Sequence, residues 1–198
     1  MVSKRRGRRK KRSDLKELLL LLLLRIEGPI GRYRLKDLLD LSDHEGLVRL
    51  MLSELSRRGY VKAEKTGCSL TAVGEELLAS NLSRAGIGDI HPIDLSELKL
   101  GPACVAVQVK DREKELRDGI EQRDAAVRVG ARGATVLLYR GNTFSVPSVY
   151  QNLSAEYPNL AKRILDSFSL ADGDALIVGF AGTTSKALEG ALAAVMEE

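Results

Sequence analysis

Residues 52–78, LSELSRRGYVKAEKTGCSLTAVGEELL, determine the fold of the first half of the chain. Apolar side chains recur at helical spacing up to Gly59, a residue that can take the left-handed conformation at the end of a helix. The segment 60–65 then predicts a strand, which a glycine-containing turn joins to a short return strand at 69–70. Thr71 can cap a further helix. The stretch therefore predicts a helix, a β-hairpin and another helix.

Three helices are predicted in total before the hairpin. Ser13 is a candidate N-cap for the first, which runs to Ile26, and residues 34–41 form a short amphipathic second helix. The third runs from about Asp43 to Arg58, and Ser42-Asp43-His44-Glu45 has the S-x-x-E form of a capping box.

The first helix contains a run of seven leucines, 18–24, after a basic segment, as the apolar region of a secretory signal does. Seven residues are too short to span a bilayer, and no small-residue cleavage site follows them. We therefore expect a buried helix, no membrane contact and a cytoplasmic protein.

The third helix is amphipathic, and its pattern predicts which residues point outward. Apolar residues are expected to form an inward stripe and to widen it, namely Leu47, Met51 and Leu55 with Val48, Leu50 and Leu52 beside them. A polar stripe at spacing four is expected to face outward: Glu45, Arg49, Ser53 and Arg57.

The order of these elements and the 52–78 stretch resemble the recognition-helix-to-wing region of prokaryotic winged-helix repressors, and the resemblance covers residues 14–84. It implies a winged helix-turn-helix domain at 13–85, with the third helix in the major groove of duplex DNA. Arg49 and Ser53 are then candidates for base contacts, because Arg can bond guanine bidentately and Ser can bond several bases. Phosphate contacts are expected from Arg57, Arg58, Lys62 and Lys65. The alternative is an ordinary solvated helix face.

A basic arm precedes this domain. Residues 1–12 include eight basic residues and no acidic one, whereas the rest of the chain has 23 basic and 27 acidic side chains. The eight are Lys4, Arg5, Arg6, Arg8, Arg9, Lys10, Lys11 and Arg12. We expect a disordered arm that binds DNA phosphates or enters a minor groove. A membrane-surface patch and an RNA- or ribosome-binding tail are the alternatives. The arm contains no aromatic residue on which bases could stack, which disfavours binding to single strands.

The second half predicts an α+β domain at 93–198, after a linker at 86–92. Apolar strands and amphipathic helices follow in the order βαββαβα, with Arg140-Gly141-Asn142 as a hairpin turn. Such an order suits two layers, a mainly antiparallel sheet with helices on one face. The last helix, with Ala187, Leu188 and Ala191 on its apolar side, is expected to cover the sheet or to meet a second copy of the chain.

Two passages of this half, RDAAVRVGARGATVLLYRGNTFSVPS (123–148) and GDALIVGFAGTTSKALEGAL (173–192), resemble the C-terminal domain of an uncharacterised archaeal family. In that family the domain follows a winged helix, and its fold is thought to resemble the GAD inserts of some tRNA-charging enzymes. The resemblance covers about residues 90–198 and implies no catalytic residue.

The second half offers one candidate ligand site, a loop before the last helix. Its backbone N–H groups and hydroxyls could bind an anion, and the residues concerned are Gly182, Thr183, Thr184 and Ser185. A simple helix cap is the alternative.

The sequence contains few other candidates for catalytic or metal-binding residues. Cys68 and Cys104 lack metal-ligand spacing, His91 is the histidine nearest to Cys104 in sequence, and Asp172-Gly173-Asp174 is typical of a turn. We therefore expect that the protein is not an enzyme and that it binds neither a cofactor nor a metal.

The resulting hypothesis is a transcriptional regulator that binds double-stranded DNA, with a second domain that senses a small-molecule effector or forms a homodimer. An RNA- or translation-associated protein that binds structured RNA is the alternative.

Overall fold

The computed structural model describes residues 2–113, 115–116 and 118–197, with side chains from residue 13 onward. The chain divides into two units, the first ending at Arg84 and the second beginning at Ala85. The first unit consists of α1 (Val2–Glu27), α2 (Arg32–Leu38), α3 (Glu45–Arg57), β1 (Val61–Glu64), β2 (Gly67–Leu70) and α4 (Ala72–Arg84).

Helix α1 is longer than expected. It begins at Val2, so Ser13 is not its N-cap, and the backbone of residues 2–12 continues the helix where we expected disorder. Lys and Arg are good helix formers, and a nucleated helix extends readily through them. The leucines 18–24 are buried, as predicted. No helix within the described part of the chain is long and apolar enough to cross a membrane.

Helix α3 is rotated about its axis relative to the prediction. Val48, Leu52 and Leu55 are buried, whereas Leu47 is 43% and Leu50 is 66% exposed. Six apolar residues on one helix are compatible with more than one inward stripe, and packing within the unit selects the Val48 stripe. The inward stripe through Leu47 was therefore wrong.

The start of α3 also differs. The backbone N–H of His44 donates to the carbonyl of Leu41 at 2.8 Å, so Ser42 lies in a turn before the helix. His44 is the N-cap and makes no side-chain cap bond, and Glu45 lies 3.7 Å from Arg32 instead. The predicted capping box is therefore absent.

The hairpin and its flanking helix ends agree with the prediction. β1 and β2 are antiparallel from Val61 opposite Leu70 to Glu64 opposite Gly67. Gly59 ends α3 with φ +78, and the Thr71 Oγ1 atom accepts the N–H of Gly74 at 3.1 Å where α4 starts.

Ile30, between α1 and α2, adds a third extended segment to the hairpin. Its N–H donates to the carbonyl of Cys68 at 2.9 Å, and the N–H of Cys68 donates back at 2.8 Å. Gly67 makes this approach possible, because a Cβ there would lie 2.5 Å from the Ile30 carbonyl carbon.

The second unit is an antiparallel sheet with helices. Its elements are β3 (Ile87–Pro92), a 3-10 turn (Ser96–Leu98), β4 (Ala103–Val109), α5 (Ile120–Arg128), β5 (Gly133–Arg140), β6 (Thr143–Ser145), α6 (Leu153–Glu156), α7 (Pro158–Ser167), β7 (Ala175–Ala181) and α8 (Thr184–Val195). The strand order is β3-β4-β7-β5-β6, and every neighbouring pair is antiparallel. The α+β class and the antiparallel sheet are thus confirmed.

The expected linker at 86–92 is a strand. β3 pairs with β4 from Ile87 opposite Val109 to Pro92 opposite Val105, with a register shift between Ile87 and Ile90. An edge strand tolerates Pro92, because proline is accommodated where one side of the strand has no partner. The segment is therefore part of the second unit's sheet.

Helices cover both faces of the sheet, so the predicted two-layer arrangement is wrong. Helices α5 and α8 contact one face. On the other, Leu160 and Ile164 of α7 share a core with Leu176 and Val178 of β7. The uninterrupted apolar run of β7 fits this, because a strand buried on both faces needs apolar residues at every position.

Candidate nucleic-acid interface

Arg49 and Ser53, the predicted base-contacting residues, are both exposed on α3. Gly46 and Leu50 lie on the same side, opposite the buried residues of the helix. Within the described residues, no hydrogen bond or ion pair holds the Arg49 guanidinium. The planar guanidinium group of Arg49 is therefore available at the surface of α3 for a bidentate contact.

Arg57, a predicted phosphate contact, is engaged by its own helix. Its Nε donates to Oε2 of Glu54 at 3.1 Å and its Nη2 donates to Oε1 at 2.8 Å. This hydrogen bonding lowers the pKa of Glu54 and raises the pKa of Arg57. Because the Arg57 side chain is 73% exposed, the pair is weak enough to open for a phosphate.

The remaining predicted cations differ in how strongly they are held. The Arg58 guanidinium lies 4.8 Å from the centre of the Tyr60 ring, and its Nη1 lies 3.8 Å from Oε1 of Glu17. Lys62 pairs with Glu64 across 2.8 Å along β1. Lys65 is exposed at the hairpin turn. The eight basic side chains of residues 4–12 lie outside the described ones.

The loop before α8 is a helix cap. The Thr183 Oγ1 atom accepts the N–H of Lys186 at 3.3 Å and lies 3.4 Å from the Ser185 hydroxyl, while Gly182 is exposed. Thr184 lines a cavity of about 480 Å³ whose other walls are the segments 92–96 and 101–104. These segments could not be identified from the sequence, because the pairing of β4 with β7, with Ala103 opposite Ala181, is what brings them next to Thr184.

Cys104 is one wall of this cavity, and its environment is not that of a nucleophile. Its thiol is buried and contacts the carbonyl of Gly101 at 4.0 Å. Burial, and then the charge of Asp94, raise the pKa of the thiol. His91 instead packs its ring edge-on against Phe168, with the ring centres 5.1 Å apart.

Asp174 is used by the fold. Its carboxylate accepts the Nε2 of Gln108 at 2.8 Å, the N–H of Ala171 at 3.0 Å and the N–H of Asp111 at 3.2 Å. These bonds join the turn before β7 to the end of β4, which agrees with the interpretation of 172–174 as a turn.

Comparison with known proteins gives a family match for the second unit. Residues 100–197 match the model of a family described as Domain of unknown function (DUF4443). The chain is also similar to the solved structure of "Hypothetical protein PH0730 from Pyrococcus horikoshii OT3", with 29% sequence identity and a TM-score of 0.68 over 91% of this chain and 90% of that one. No curated protein matches the chain. Both similarities are consistent with the uncharacterised archaeal family expected from the sequence.

Proposed function

We propose that this chain is a DNA-binding transcriptional regulator whose first unit is a winged helix. In this proposal α3 is the recognition helix, and the β1–β2 hairpin is the wing. The observation that carries the proposal is the exposed Arg49, which has no partner among the residues that the structure describes, beside Ser53 on α3. Lys62 and Lys65 are exposed on the hairpin that follows.

The element order supports this assignment. Three helices precede the hairpin and one follows it. Ile30, between the first two helices, is bridged to Cys68 of the hairpin, which ties the hairpin to the helical part of the unit. The exposed side of α3 is then the surface that a major groove would meet, and the basic arm adds charge to the same unit.

The direct test is binding of the full chain to duplex DNA and to structured RNA at equal salt. We expect a preference for duplex DNA, and selection of a preferred sequence from a random duplex pool. Tighter binding of structured RNA, with no selected duplex, would favour the RNA-associated alternative.

Arg49→Ala should then weaken the binding free energy for the selected duplex by about 1–3 kcal/mol and relax the base preference at one position, because the variant cannot make a bidentate bond to a base. Arg57→Ala should weaken all duplexes to a similar degree, because a phosphate contact is not sequence-specific. Arg84→Ala, an exposed arginine on α4, is the matched control and should change neither. Equal losses on selected and random duplexes for Arg49→Ala would reduce Arg49 to a phosphate contact.

We further propose that the second unit binds an effector or forms a homodimer. The cavity beside Thr184 is the candidate effector site. Helix α8 offers no face to a second copy, because every residue from Ala187 to Val195 is buried. Ile120 and Val127, which are 50% and 51% exposed on one side of α5, are better candidates for a dimer contact.

Sedimentation of the full chain at tens of micromolar tests the dimer. We expect self-association that Val127→Asp abolishes and that Val149→Asp, at a 67% exposed loop position, leaves intact. A monomeric wild type at these concentrations would leave effector binding as the role of the second unit.

A further inference from the structure

Leu50 occupies the middle of the outward face of α3. Helical geometry places it nearly opposite Val48 and Leu52, which are buried, and it is 66% exposed. On one side its neighbours are Gly46, four residues before it, and Ser53, three residues after it, and on the other side they are Leu47 and Glu54. Because Gly46 and Ser53 have small side chains, Leu50 projects beyond its neighbours on that side.

The surroundings of Leu50 are polar and cationic. Arg49 is adjacent in sequence and has no partner among the described residues. Glu54, one turn further on, is hydrogen-bonded to Arg57, so this pair adds no net charge. A ligand of this face therefore has to accept hydrogen bonds from arginine and also offer an apolar group to the leucine.

Duplex DNA offers one apolar group in its major groove, the 5-methyl of thymine, among base edges that are otherwise polar. We propose that Leu50 contacts the 5-methyl group of a thymine in the bound duplex and makes the protein discriminate thymine at that position. This proposal rests on the proposed function and names a specificity-determining residue for it.

A protein partner is a poorer fit to the same face. Leu47 and Leu50 are its exposed leucines, and Arg49, Glu54 and Arg57 lie beside them. A stable protein interface buries about 1,200–2,000 Å² in total, much more than two leucines can supply. A methyl contact requires a single side chain.

The test uses the full chain and its selected duplex, in which each thymine is replaced in turn by deoxyuridine, so that only the methyl group is removed. For the wild type we expect about fourfold weaker binding at one position, the change that corresponds to one buried methyl group. Leu50→Ala should be insensitive to uracil at that position. Val73→Ala, at an exposed position on α4, should keep the wild-type sensitivity.

The outcomes separate the two proposals. A wild type that binds no duplex contradicts the proposed function itself. A wild type that binds but tolerates uracil everywhere, or that selects a site without thymine, overturns only the role of Leu50. A Leu50→Ala variant that keeps the sensitivity to uracil also overturns the role of Leu50. The same holds for a Leu50→Ala variant that loses self-association in sedimentation while its DNA binding is unchanged. Thermal unfolding of each variant checks that it is folded.

Discussion

Replacing the eight basic residues at positions 4–12 with glutamine is expected to weaken binding to duplex DNA of any sequence by on the order of 10³-fold at low salt. Each phosphate that a cation neutralises releases counterions, so the slope of log K against log salt becomes shallower by about 0.9 for every phosphate that the variant leaves unneutralised. Titrations of random and selected duplexes at several salt concentrations measure both quantities. The ratio of the two affinities should change little, because the arm does not distinguish sequences.

An all-lysine version of the same segment is the matched control, because it keeps the charge and the length. It should retain the salt slope of the wild type. An unchanged slope in the glutamine variant would contradict the role of the arm.

Gly179→Ala is expected to have the largest effect on stability. The new Cβ would lie 2.2 Å from the carbonyl oxygen of Ala187 and 2.5 Å from the backbone nitrogen of Ala191. Both atoms belong to the backbone of α8, so β7 and α8 have to separate. Overpacking of this kind lowers the free energy of unfolding by about 3 kcal/mol or more when the backbone has to move. Chemical denaturation should show a lower midpoint with an unchanged slope.

Gly182→Ala, three residues further along the same segment, is the control. No atom of the described part of the chain lies within 4 Å of its added Cβ, and Gly182 is exposed. We expect the free energy of unfolding to change by no more than about 0.5 kcal/mol, as is usual for surface substitutions. Equal stability of the two variants would mean that α8 does not approach β7 as closely as described.

Local signals in the sequence determined several of the element boundaries, although not the starts of α1 and α3. Gly59 ends α3, Thr71 caps α4, and Gly141 and Asn142 have φ +55 and +58 in the tight turn between β5 and β6. These features depend on the conformational range of single residues and on bonds to neighbours a few positions away. A sequence pattern can therefore predict them.

Contacts between whole elements determined the other two features, the strand at 86–92 and the second helical layer. The backbone of 86–92 forms a strand because β4 supplies its hydrogen-bond partners, and composition alone indicated a linker. The second helical layer follows from α7, whose buried face packs on the same side of the sheet as Leu176 and Val178. Neither follows from local signals, because both depend on contacts with other elements, beyond the few residues that a turn or a cap spans.

For the candidate site, the sequence alone established which side chains are cationic and that Arg49, Ser53 and Arg57 share one face of α3. The three-dimensional arrangement was needed to show that Arg57 is paired with Glu54 while Arg49 has no partner among the described residues. It was also needed to show that Leu50 points outward, because six apolar residues allow several inward stripes and the surrounding core accommodates only one. Periodicity fixes the spacing of a helix's residues, whereas packing fixes the rotation of the helix about its axis.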